Sequence, residues 1–198
     1  MSVPEIKSLS VGSMDNNVYI LTCPTTGKRA LIDPANEADV ILDALGTPDL
    51  EYILLTHGDR DHFLALDEVR KATGAPVGIH PADLHMLEGR TVDFEIHKGD
   101  VIRFGDVELQ VIHTPGHTAG GICFYSPPHL IDGDTLFPGG PGNTQREGGD
   151  FPLIIENIRT KLFTLPDDTI VYPGHGKGTT IGKEKPHLQE WIDAESLG

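Results

Sequence analysis

Residues 53–66 read ILLTHGDRDHFLAL, an apolar run that stops abruptly at two imidazoles and two carboxylates: His57, Asp59, Asp61 and His62. Such a run ending at a sharp polar edge reads as a buried β-strand. The loop beyond it can turn all four side chains toward one point, as a metal site requires. The same residues also permit a solvated turn, with an aspartate capping a helix that starts near Phe63. Recurrence of the pattern decides between the two.

It recurs three times. VIHTPGHT offers His113 and His117, LIDGDTL offers Asp132 and Asp134, and VYPGHG offers His175. Each lies at the C-terminal end of a strand-like run, beside Gly or Pro residues that permit tight turns. A chance arrangement would scatter histidines over both faces and the loops. A metal centre gathered from several strand ends is therefore expected.

Strands are expected at EIKSLSV, NNVYILTC, RALIDP, EYILLTH and APVGIH, and again at DVIRFG, VELQVIHT, GGICFYS, HLIDGDTL and TIVYPGH. Helices are expected from about Glu37 to Leu45, Phe63 to Thr73, Phe151 to Phe163 and Lys183 to Ile192, with a short one at PADLHML. The Gly-rich stretch PGGPGNTQREGGD, residues 138–150, reads as a surface loop long enough to border a site. Strand runs interleaved with helices suggest packed sheets with helices outside, an α/β sandwich.

Charge narrows the function classes. With 15 Lys+Arg against 30 Asp+Glu, the 198-residue chain carries a formal net charge of −15 and has no basic cluster. It would repel a phosphate backbone, so nucleic acid is disfavoured as a partner and multivalent cations are favoured. No run approaches bilayer-spanning length, and MSVPEIKSLS lacks the regions of a signal peptide, so no membrane association and a cytoplasmic location are expected. Cys23 and Cys123 lack CxxC spacing and read as buried, reduced thiols.

Taken in order, THGDRDH, HTPGHT, GDTLF and YPGHG closely resemble the motifs of the metallo-β-lactamase superfamily, and of its glyoxalase II-like (hydroxyacylglutathione hydrolase-like) branch in particular. TTIGKEK resembles the sequence after the last histidine in those hydrolases. The resemblance implies a four-layer αββα sandwich, one domain over residues 1–198, and two divalent metal ions at one edge of the sheets. Zinc is the foremost choice, with iron or manganese as alternatives. By residue-by-residue matching, His57, position 59 and His117 would take the first ion. Asp61, His62 and His175 would take the second, with Asp134 bridging. His113 falls at a position implied not to be a ligand.

Position 59 departs from the family's HxHxDH, because this chain has HxDxDH. Asp59 could coordinate in place of the imidazole, or fall short of the metal and leave the first site weak. If it coordinates, the centre is less positive and its preference moves toward iron or manganese. The resemblance implies a hydrolase that uses a metal-bound hydroxide, oriented by Asp61, on a small thioester or ester. The alternatives are a non-haem iron oxidoreductase of the persulfide dioxygenase type and a non-catalytic metal-binding protein. Cleavage of RNA, DNA or β-lactams is disfavoured. Lys183 and Lys185 could hold a substrate carboxylate, as could Arg146, although a solvated helix start suits the two lysines equally. His80, His85, His97, His129 and His187 read as surface or packing residues, with His85 and Met86 able to line a cleft, and Trp191 as packing for the terminal helix.

Overall fold

Two six-stranded sheets carry the metal-ligand candidates. The computed structural model describes residues 1–46, 49–146 and 148–195. The first sheet has the order β1 (Glu5–Val11), β2 (Asn16–Thr22), β3 (Arg29–Ile32), β4 (Leu50–Leu54), β5 (Val77–Ile79) and β6 (Phe94–Glu95). It is antiparallel from β1 to β3 and parallel from β3 to β6. The second contains β7 (Val101–Phe104), β8 (Val107–His113), β9 (Ile122–Ser126) and β10 (His129–Gly133) as an antiparallel meander. Strand β13 (Ile170–Pro173) joins β10 in parallel, and β14 (Thr179–Thr180) closes the edge. Between them, β11 (Leu136–Phe137) and β12 (Gly140–Pro141) form a separate small hairpin.

The layering follows from side-chain alternation. Along β2, Val18 and Ile20 face one core while Tyr19 and Leu21 face another. Along β9, Ile122 and Phe124 meet Tyr19, Leu21 and Leu54 between the sheets, whereas Cys123 and Tyr125 face outward onto Ile154, Ile155 and Ile158. Both faces of each sheet are therefore apolar, and helices cover the outer ones. Helices α1 (Ala38–Leu45) and α2 (Leu66–Thr73) cover the first sheet; α3 (Phe151–Asn157) covers the second. This is the mixed α/β sandwich expected from the sequence.

The helix ends depart from expectation for local reasons. The helix expected from Phe63 begins at Leu66, because the backbone first makes a 3-10 turn over Arg60–His62. The helix expected from Phe151 to Phe163 is α-helical only to Asn157 and continues as a π turn over Ile158–Leu162. The final helix is broken at Pro186, which lacks an N–H, into α4 (Ile181–Glu184), a 3-10 turn and α5 (Leu188–Glu195). PADLHML forms a 3-10 helix, Pro81–Met86. Trp191 packs against Phe163 with ring centroids 6.1 Å apart, and both cysteines are buried and unpaired. Among the described residues no helix is long and apolar enough to cross a membrane.

One edge holds the two sheets together. Asn17 Nδ2 donates to the carbonyls of Pro173 and Gly176, and Tyr19 Oη donates to Pro173 O at 2.6 Å. On the other side of this edge, Ile122 N donates to Thr56 O, joining β9 to the end of β4. The ends of β4, β10 and β13 are thereby brought to one place. Phe124 is fully buried between the sheets, so Phe124→Ala is expected to destabilise the fold by about 3–5 kcal/mol. The midpoint of chemical denaturation measures it.

Candidate metal centre

Four histidines and three aspartates converge at this edge. His57 follows β4; Asp59, Asp61 and His62 occupy the turn after it; His117 lies in the loop after β8; Asp134 and His175 follow β10 and β13. His57, Asp59 and His117 form one set whose ligand atoms lie within 4.8 Å of one another, and Asp61, His62 and His175 form a second. Asp134 stands between the sets: Oδ2 is 3.6 Å from His117 Nε2 and 3.5 Å from His175 Nε2, and Oδ1 is 3.5 Å from His62 Nε2. All seven candidates named from the sequence are thus brought together.

Hydrogen bonds fix how the imidazoles point. His57 Nδ1 donates to Thr56 Oγ1 at 2.9 Å, because that hydroxyl gives its own proton to Asp33 Oδ2 at 2.6 Å. His62 Nδ1 donates to Asp33 Oδ2, His117 Nδ1 to Asn143 O and His175 Nδ1 to Met14 O. With every Nδ1 proton placed outward, the four Nε2 lone pairs face inward, the arrangement that holds metal-binding histidines in register.

Several of the atoms that face inward lack a suitable partner among the described residues. Among the described residues, His57 Nε2 and Asp134 Oδ1 are buried with no hydrogen-bond partner. His62 Nε2 and His175 Nε2 face one another across 3.2 Å. Lone pairs at that distance repel unless a proton or a cation lies between them. The donor set of imidazole nitrogens and carboxylate oxygens suits zinc, iron or manganese. On these observations the residues fit a pair of divalent ions.

Electrostatics agree. Burial works against charge on His62, but Asp134, Asp33 and Asp61 outweigh it and raise the imidazole to about 9. Burial likewise opposes ionisation of Asp59, yet the His117 and His57 imidazoles beside it and the Arg146 guanidinium hold it well below the usual carboxylate range. Asp61 is also held low, by His175, His62 and Asn16 against its burial. The centre carries more negative charge than its neighbours neutralise.

The supporting residues were only partly visible in the sequence. Asp33, at the end of β3, carries the same strand-end signal as the ligand candidates, but its oxygens are used by Thr56 and His62. Asp83 had no such signal. Fully buried in the Pro81–Met86 turn, it accepts from Gly58 N, Thr118 Oγ1 and Gly120 N, and so fastens the loop of His57 and Asp59 to that of His117. Asn16 Nδ2 donates to Asp61 Oδ2 at 2.8 Å. Gly174 leaves room for the centre, since a Cβ there would overlap Asp134 Oδ1 and His62 Cε1.

Other candidates lie elsewhere. Asp132 is buried behind the centre with Oδ2 accepting from Leu136 N, and burial raises it well above the usual range. His113 stacks on His80 at 4.1 Å and bonds Ala119 O, outside the ligand set. Lys183 and Lys185 do not join the cluster. Glu184 between them turns inward to bind Gly139 N and Thr179, leaving both lysines exposed, with Lys185 paired to Asp167. Arg146, by contrast, reaches in from the Gly-rich loop to Asp59. It also borders a pocket of about 530 Å³ with Asp83, His85, Met86, Thr118, Ala119 and Gly148.

The chain belongs to the Metallo-beta-lactamase superfamily, which matches it over residues 11–175. It is 40% identical over 164 residues to a hydroxyacylglutathione hydrolase from Polaromonas sp., covering 79% of this chain and 60% of that protein. It is 33% identical over 177 residues to the hydroxyacylglutathione hydrolase GloC of Haemophilus influenzae, covering 79% and 84%. Among solved structures it is similar to the BLEG-1 B3 metallo-beta-lactamase, with a TM-score of 0.84, 31% identity and coverage of 93% of this chain and 98% of the other. TTHA1623 in a di-iron-bound form gives 0.81 and 31%, covering 90% and 96%. ETHE1 from Myxococcus xanthus gives 0.82 and 30%, covering 93% and 83%.

Two predictions follow from this geometry. Asp83→Ala leaves three buried donors unpaired and is expected to cost about 3 kcal/mol and to lower metal content, measured by denaturation and elemental analysis. The second concerns pH. His62 is raised from 6.5 to about 9, so its ion pairs stabilise the metal-free protein fully below pH 6.5 and are lost as pH rises through 9. The melting temperature of metal-free protein should fall across that window, and saturating metal should abolish the fall.

Proposed function

We propose that this protein is a binuclear metal-dependent hydrolase of the glyoxalase II-like type, acting on a small thioester or ester. The observation that carries the reading is the inward convergence of four Nε2 lone pairs and three carboxylates, with His57 Nε2 and Asp134 Oδ1 otherwise unpartnered. His57, Asp59 and His117 would hold one ion, Asp61, His62 and His175 the other, and Asp134 would serve both. Bound divalent ions supply water activation and polarisation of the scissile carbonyl.

The chain's own residues do the positioning. Asp61, anchored by Asn16, would accept a hydrogen bond from an attacking water and so aim it. Asp33 and Thr56 keep His62 and His57 in the tautomer that ligates. The pocket beside Arg146 is where the acyl or thiol portion of the substrate would lie, with His85 and Met86 on its wall. The hydroxyacylglutathione hydrolases among the relatives support thioester as the bond class.

Iron oxidoreductase chemistry is the second reading. Asp59 makes the centre richer in oxygen ligands, and a similar structure is described as di-iron-bound. Elemental analysis of protein purified without added metal, combined with thiol release from a thioester, separates the two. About two ions per chain with thiol release is expected. Asp59→Ala should remove mainly one ion and Asp61→Ala mainly the other. A single iron with oxygen uptake and no thiol release would replace the hydrolase reading with the oxidoreductase.

A further inference from the structure

Arg146 engages Asp59 with both terminal nitrogens. Nη2 donates to Oδ1 at 2.5 Å and Nη1 donates to Oδ2. Nη1 also lies 3.3 Å from His117 Nε2, whose lone pair is free to accept because Nδ1 carries the proton toward Asn143 O. One guanidinium nitrogen therefore faces two of the three atoms of the first ligand set.

A cation held by the same atoms would bind at about 2.0–2.2 Å along the same lone pairs. Guanidinium and ion cannot both use them. In the second set, by contrast, Asp61 Oδ2 is met by the neutral amide of Asn16 and by the imidazoles of His62 and His175. Among the described residues no lysine or arginine pairs with Asp61. The first set is paired with a guanidinium, which holds its charge at every working pH, and the second is met by an amide and imidazoles.

We propose that Arg146 stands in for the first cation: it neutralises Asp59 while that set is empty, must withdraw when the ion binds, and is then presented to a carboxylate of the substrate in the adjoining pocket. The inference rests on the metal-centre reading above. Two consequences follow. The ions bind with unequal affinity, the Asp61 set filling first. An anionic substrate and the first cation also favour the same withdrawn side chain, so each strengthens binding of the other. Arg146 is the one Lys or Arg among the described residues lining that pocket.

The test is calorimetric titration of metal-free protein with Zn²⁺. Wild type should show one tight and one weak ion. Arg146→Ala should tighten the weak one by roughly tenfold or more, since a charged bidentate pair no longer opposes it, and leave the tight one unchanged. Arg146→Lys, with one point charge in place of the planar fork, should fall between. S-methylglutathione, a carboxylate-bearing probe without a free thiol, should tighten the weak ion in wild type and have no effect on it in Arg146→Ala. Circular dichroism checks that each variant is folded, and Arg146→Gln provides a second neutral replacement.

An unchanged or loosened weak ion in both neutral variants would overturn the proposal, because Arg146 would then support Asp59 as a ligand. Zinc affinity indifferent to the probe in wild type would overturn the hand-over to substrate. Absence of zinc binding in wild type and variants alike would remove the metal-centre reading and this inference with it. Two ions in wild type with no response to Arg146 would remove this inference alone.

Discussion

Negative charge without enough positive charge to answer it is the condition around which this molecule is arranged. Asp59, Asp61 and Asp134 lie within 3.0–3.6 Å of imidazole nitrogens at a partly buried sheet edge. Burying carboxylates costs several kcal/mol each unless cations or several donors meet them. Much of the nearby structure holds this unfavourable gathering in place. Asp33 and Thr56 orient two imidazoles, backbone carbonyls of Met14 and Asn143 orient the other two, and Asp83 fastens two loops that would otherwise part. A divalent pair at that position would turn the cost into binding energy.

The fold serves that purpose through strand ends. Parallel strands β4, β10 and β13 each deliver ligand candidates from a C-terminal end, the position where open α/β sheets commonly build sites. The strands themselves are apolar on both faces, so the polar residues are displaced to where the strands stop. Tyr19 and Asn17 then close the seam between the sheets with hydrogen bonds to the chain around Pro173 and Gly176. Stability and site geometry therefore share the same few contacts.

Legibility in the sequence followed the same division. Every strand of five residues or more was readable, β2 and β9 as nearly unbroken apolar runs buried on both faces, β1 and β8 by their alternation of apolar and polar residues. The two-residue strands at Phe94–Glu95, Gly140–Pro141 and Thr179–Thr180 were not, since pairing alone defines them. The seven ligand candidates were readable because each lies at or just beyond the end of a strand-like run. Asp83 was not readable, because its importance lies in donors from Gly58, Thr118 and Gly120, far from it in the chain. Arg146 was readable as a cation near the site, but only the folded loop reveals that it faces Asp59. Lys183 and Lys185 looked similar in sequence and differ because Pro186 and the inward turn of Glu184 direct them to solvent.

The candidate ligands extend from His57 to His175, and the last of them is drawn back onto the start of β2 by its bridge to Asn16. During vectorial synthesis the Asp61 set is incomplete until His175 has left the ribosome. A nascent chain can thus present the first set, or fragments of the second, but no finished pair. Loading of a complete pair would therefore come late, after the second sheet has docked on the first. A metal captured earlier would be held by too few ligands to choose its identity, so selection among competing ions would fall to the completed protein.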